Sequence, residues 1–233
     1  MLSTGPKEDK MNNYQMNARI AGIFFLTAMA GSIIGGGILS TIITDPDYIN
    51  NISSSTNQVW LGVILELVNV VSVLGIAAMF YPAFKKHNEG IAIAYFGNRV
   101  IEAIICTAAT IPPLLMITLS SEYSIVEFNN VNEMGSIIIA LRNYLVDFYV
   151  LFFFTISAAL HYYLFLKSRL IPRWISIWGI ISLVGIILAN VFNLFSFGIG
   201  IGMVLALPII LNEIFLGVWL IVKGFNTSQI PNK

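Results

Sequence analysis

Apolar residues in this chain fall in long blocks separated by short polar stretches, at about residues 19–43, 59–84, 91–119, 135–166, 174–195 and 202–222. The alternation of apolar and polar positions that marks a barrel strand is missing from them. Each block approaches or exceeds the ~20 residues that carry an α-helix across a bilayer at ~1.5 Å per residue. A helix satisfies its own backbone hydrogen bonds, which lipid cannot do for it. The pattern predicts an all-α integral membrane bundle of six transmembrane helices. A flexible polar segment at residues 1–18 precedes the bundle, and a short cytoplasmic tail at residues 224–233 follows it. Residues 120–133 read as a polar, acidic loop and residues 167–173 as a tight basic turn. The link at residues 196–201 is short and uncharged, so it marks the boundary between the last two spans weakly.

Local signals refine this picture. Ala28-Met29-Ala30 has the small-x-small spacing of a signal-peptide cleavage site, but the apolar run continues past it, as a retained anchor would. Gly31 and Gly35, four apart in the first span, suit a close helix contact. Pro112-Pro113 and Pro208 are expected to kink or break spans three and six. Trp60, Trp174, Trp219, Tyr81 and Tyr162 lie near block ends, where amphipathic rings favour the headgroup zone.

Composition agrees with lipid as the solvent. Only 10% of the 233 residues are charged and the mean hydropathy is +0.83, against roughly 25% charged in soluble domains. Zero formal net charge leaves no basic surface for nucleic acid. Orientation follows the basic residues. Lys7, Lys10, Arg19, Lys85, Lys86, Lys167, Arg169, Arg173, Lys223 and Lys233 fall at one side, ten of the twelve in the chain. The opposite loops hold acids, among them Asp45, Asp47, Glu122, Glu127 and Glu133. Both termini are therefore expected in the cytoplasm.

The most informative residues are those that hydrocarbon should exclude. Glu66 and Asn69 lie in span two, Arg99 and Glu102 in span three, and Arg142, Asn143 and Asp147 in span four. Asn190 and Asn193 lie in span five, Asn212 and Glu213 in span six. Six ionised groups unpaired in lipid would cost on the order of 15 kcal/mol, so they are expected to face inward, pair or lose their charge. Spacings of three and four put Glu66 with Asn69, Arg99 with Glu102, Asn143 with Asp147 and Asn190 with Asn193 on shared faces. Depth along the spans sets Glu102, Asp147 and Glu213 near the midplane. It makes Glu66–Arg142 a plausible pair and lets Arg99 reach Glu102 on its own helix. Four acids against two arginines leave a carboxylate excess, so at least one carboxyl must be protonated, hydrated or bound to a cation.

Two readings of this cluster stay open. In one, Glu66, Asn69, Arg99, Glu102, Arg142, Asp147, Asn190 and Glu213 form a binding site through which a small solute, ion or lipid is held or moved. In the other they are glue between helices, and the protein is a non-enzymatic scaffold or accessory subunit. Signals for an enzyme are weak. His87 in a basic loop reads as solvated, and His161 as an interfacial or packing residue. Two isolated histidines cannot build a His-rich metal site, nor the lone Cys106 a Cys-rich one. The sequence contains no H-E-x-x-H, G-x-S-x-G or P-loop motif, and no cofactor is expected. No repeat relates spans one to three with four to six, which withholds support from an inverted-repeat transporter.

One stretch carries a family likeness. Ser168-Arg169-Leu170-Ile171-Pro172-Arg173-Trp174-Ile175-Ser176-Ile177-Trp178-Gly179 resembles the hallmark of the bacterial membrane proteins grouped as domain of unknown function 4386. Ala18-Arg19-Ile20-Ala21-Gly22 and the run from Tyr95 to Ala103 agree with it. The resemblance extends from about residue 17 through nearly the whole chain. It implies a multi-pass protein of the bacterial cell (plasma) membrane and offers no catalytic residues. For the basic turn itself, holding the loop inside explains Arg169 and Arg173 more simply than a binding role does.

Overall fold

The computed structural model describes residues 6–45, 47–123, 130–194 and 201–231. Its helices are α1 (Pro6–Ile43), α2 (Tyr48–Ser54), α3 (Thr56–Lys85), α4 (Glu89–Ala108), α5 (Ile111–Tyr123) and α6 (Val131–Asn143). A π-helical stretch, Tyr144–Val150, joins α6 to α7 (Leu151–Ser168), and α8 (Arg173–Leu194) and α9 (Ile201–Val222) follow. Six helical segments are long and apolar enough to cross a membrane, as the block pattern predicts. Span three comprises α4 and α5, and span four comprises α6, the π stretch and α7.

The spans close a ring in chain order. α1 packs on α3, α3 on α4, α4 on α7, α7 on α8, α8 on α9, and α9 returns to α1. Small residues draw the helices together where backbones cross. A Cβ on Gly31 would lie 2.5 Å from the Leu65 carbonyl oxygen, and one on Gly35 would lie 2.8 Å from that of Gly62. The spacing read from the sequence is thus a true contact, between α1 and α3. Thr27 and Ser72 share a 2.9 Å hydrogen bond across the same pair.

Aromatic packing fills the basic end of the ring. Phe80, Phe84, Tyr95, His161, Phe165 and Phe225 are all buried there, with the Phe84 and Phe165 rings 4.9 Å apart edge to face. A second, aliphatic core of Leu39, Ile52, Val59, Val63 and Met116 closes the acidic end. Along α3, Glu66 and Asn69 fall between these two plugs.

Several expectations need correction. The polar N-terminal stretch is helical from Pro6, because the helix of the first span extends outward and finds partners. Ala18 is fully buried, and the Gln15 amide donates to the Phe225 carbonyl at 2.6 Å. The expected tail folds back as well. Gly224 takes φ +67°, a conformation cheap only for glycine, and Asn226 N–H then donates to the Leu170 carbonyl at 2.8 Å. Helix α5 runs to Tyr123 and α6 starts at Val131, so both ends of the expected acidic loop belong to helices. The side chains of Glu122 and Glu127, that of Asn193, and the link 195–200 lie outside the described residues. Tyr162 is fully buried, not interfacial, and His161, also fully buried, takes the packing role of its two expected alternatives. His87 is half-buried, not solvated, and burial lowers its pKa.

Candidate functional site: a polar cavity inside the bundle

Proline chemistry creates the outer half of the site. In an unbroken helix the Ala109 carbonyl would accept from the N–H of residue 113, but Pro113 has none. Span three breaks at residues 109–110, and Arg142 Nη1 donates to the freed Ala109 oxygen at 2.5 Å. The same guanidinium grips Glu66, with Nη2–Oε1 at 2.5 Å and Nη1–Oε2 at 3.3 Å. A forked pair of this kind satisfies both carboxylate oxygens. It ties α3, the break in span three and α6 together. By contrast, α9 runs unbroken through Pro208 and α3 through Pro82.

The inner half lies about two to three turns further toward the basic end. Arg99 and Glu102 on α4 pair at 2.9 Å, both almost completely buried. Glu102 Oε2 accepts from Ser157 of α7 at 2.9 Å. Asn98 reinforces that seam by donating to Ser157 Oγ at 2.6 Å and to the Phe153 carbonyl at 2.7 Å. Arg99 also sits over the Tyr95 and Phe154 rings, 5.6 and 5.9 Å from their centroids.

Arg99 and Glu102 face a cavity of about 240 Å³, whose polar lining is Ser32, Asn69, Arg99, Glu102 and Glu213. Phe25, Met29, Ile76, Cys106, Phe154 and Ile209 are among its apolar walls. Glu213 comes from α9, across the ring from α4. It is buried, and its Oε1 has no hydrogen-bond partner among the described residues. Two carboxyls therefore share this cavity with one guanidinium, and that guanidinium is already engaged by Glu102. Beneath the cavity, Tyr162 donates to Asn212 Oδ1 at 2.5 Å and Asn212 donates to the Ile175 carbonyl at 3.1 Å. His161 Nδ1 lies 3.1 Å from the Ser157 carbonyl, and Nε2 has no partner among the described residues.

The eight residues picked from the sequence thus separate. Asn69, Arg99, Glu102 and Glu213 line one cavity, and Glu66 with Arg142 forms a neighbouring pair. Asn190 is absent from the cavity lining, although its Oδ1 is buried without a partner among the described residues. Asp147 is exposed, as is Asn143. Their four-residue spacing does put them on one face, but that face points outward, because Arg142 takes the inward position and the π-helical stretch shifts the register after it. Ser157 and Asn98 complete the site without having been singled out. A serine or asparagine in an apolar run is a weak signal alone, although Asn98 falls within the family-like stretch from Tyr95 to Ala103.

No group of three or more His, Cys, Asp or Glu side chains that could hold a metal ion occurs among the described residues. A ring of six hydrophobic spans around buried charge defines an α-helical multi-pass membrane protein. Within that class the chain belongs to the family described as Domain of unknown function (DUF4386), whose model matches residues 20–224. Comparisons with curated proteins and with solved structures found no match.

Proposed function

We propose that this protein binds, and moves within or across the bilayer, a small solute or ion that brings positive charge or hydrogen-bond donors into the polar cavity. One observation carries the reading, the Oε1 of Glu213, which has no partner among the described residues, on the wall of the cavity it shares with Arg99 and Glu102. A carboxylate in a low-dielectric interior needs a counter-charge or donors. The cavity's 240 Å³ has room for a hydrated monovalent cation or a small amine. The orientation expected from the basic residues, with both termini in the cytoplasm of a bacterial cell, is part of the same proposal.

The test is thermal unfolding of the purified full chain in neutral detergent, titrated with alkali cations and small primary amines. A ligand of the folded state stabilises it, by about 2.7 kcal/mol at a hundredfold excess over Kd. The expected result is a shift in Tm with at least one of these probes that disappears in E213Q. Absence of any shift, or the same shift in E213Q, overturns the reading. A second reading, scaffold or accessory subunit, draws on the exposed Asp147. A carboxyl on an outward face of a span is awkward in lipid and is eased when a partner helix covers it. A stoichiometric partner captured from native membranes, lost in D147L, would favour that alternative.

A further inference from the structure

The basic turn borders a second concavity, which shares no lining residue with the interior cavity. Between α7 and α8 the backbone is strapped down, with Leu170 and Ile171 buried and the Leu170 carbonyl held by Asn226. The turn and the end of α9 border a cleft of about 390 Å³, lined by Arg169, Arg173, Lys223 and Trp219 together with the rest of the turn and residues 224–226. All three cations are exposed, and no carboxylate lines the cleft. None of the three forms an ion pair among the described residues, whereas Lys85 nearby pairs with Glu89 at 3.0 Å.

Two further features bear on what occupies the cleft. Arg169 adopts φ 56°, the sole non-glycine residue with positive φ among the described residues. Glycine fits this helix-ending position better, by roughly 1 kcal/mol, so the side chain is kept at a backbone cost. Trp174, half-exposed and stacked on Trp178, adjoins Arg173, and Trp219 forms a wall of the cleft itself. Indoles in such numbers mark headgroup depth. A topological role needs positive charges only somewhere near the membrane surface. It does not need them gathered around one concave site without an acid, where they repel one another until an anion arrives.

We propose that this cleft binds the phosphate of an anionic membrane lipid, Arg169, Arg173 and Lys223 holding the phosphodiester while the acyl chains follow the apolar surface beside Trp174. Basic pockets between span ends are suited to such headgroups, and a guanidinium fork matches phosphate geometry.

Purified full-length protein in neutral detergent is unfolded thermally with added phosphatidylglycerol, phosphatidylcholine or inorganic phosphate. Phosphatidylglycerol is expected to raise Tm and phosphatidylcholine to leave it unchanged. The R173Q/K223Q variant is expected to need about thirtyfold more phosphatidylglycerol for the same shift, about fivefold for each cation removed. K85Q, which removes a charge at the same end but outside the cleft, should respond as the wild type does. If the double variant does not fold, single R173Q and K223Q decide the matter, each with about a fivefold loss expected. Equal shifts with the neutral lipid, or an undiminished response in the cleft variants, overturn the proposal. So does a full shift from inorganic phosphate alone, since it would assign the cleft to a soluble anion.

Discussion

At the residue scale, the buried charges obey the rule that low dielectric imposes: each cation is matched first, and the remainder is left as carboxyl. Arg142 is matched twice, by Glu66 and by a carbonyl that a proline released. Removing Arg142 alone strands both partners. R142Q is expected to lose about 3–5 kcal/mol of stability, the usual result of breaking a buried pair from one side. The E66Q/R142Q double variant should recover much of that loss, because two neutral amides can bond each other and the Ala109 carbonyl. Thermal unfolding of the wild type, both single variants and the double variant gives the coupling. A double variant as unstable as the sum of the two single variants would show that the pair acts separately.

Helices meet here through what they lack. Without a hydrophobic drive between spans in lipid, association relies on close packing and on polar bonds. The α1–α3 contact uses both, with Gly31 and Gly35 against α3 backbone and Thr27 bonded to Ser72. A side chain at Gly31 must displace the Leu65 carbonyl and shift α3, which also carries Glu66 and Asn69. G31L should therefore cost about 1–3 kcal/mol as overpacking does, measured by unfolding in detergent, while G37L, where a Cβ meets nothing within 4 Å, should be nearly neutral. Equal losses at the two positions would contradict the contact.

For the whole molecule, the closed ring separates a basic end from an acidic end. Labelling with a membrane-impermeant maleimide tests their placement. Cys106 is buried and can be replaced by alanine to give a cysteine-free background. In that background, exposed S54C and N132C at the acidic end should react from outside intact cells. K86C and Q229C at the basic end should react only after the membrane is opened. The reverse pattern would invert the orientation, and equal reactivity would remove the membrane from the account.

The length and apolarity of the blocks settled the class and the count of spans, because the cost of leaving backbone or charge in hydrocarbon depends on local sequence alone. The Glu66–Arg142 and Arg99–Glu102 pairs were legible too, from depth and from spacing on one helix. What the blocks could not carry was the rotation of each helix about its own axis. That rotation sends Asp147 outward, takes Asn190 away from the cavity, and brings Ser157, Asn98 and Glu213 to the faces they occupy. It depends on a break after Ala109 and a π-helical stretch after Asn143, and on which neighbour each helix meets in the ring. These are properties of packing among distant segments, and no single span encodes them. The ends of the chain teach the same lesson. Polar composition predicted a flexible first segment and a short tail, yet Gln15 and Asn226 have found backbone partners that only the assembled basic end could place within reach.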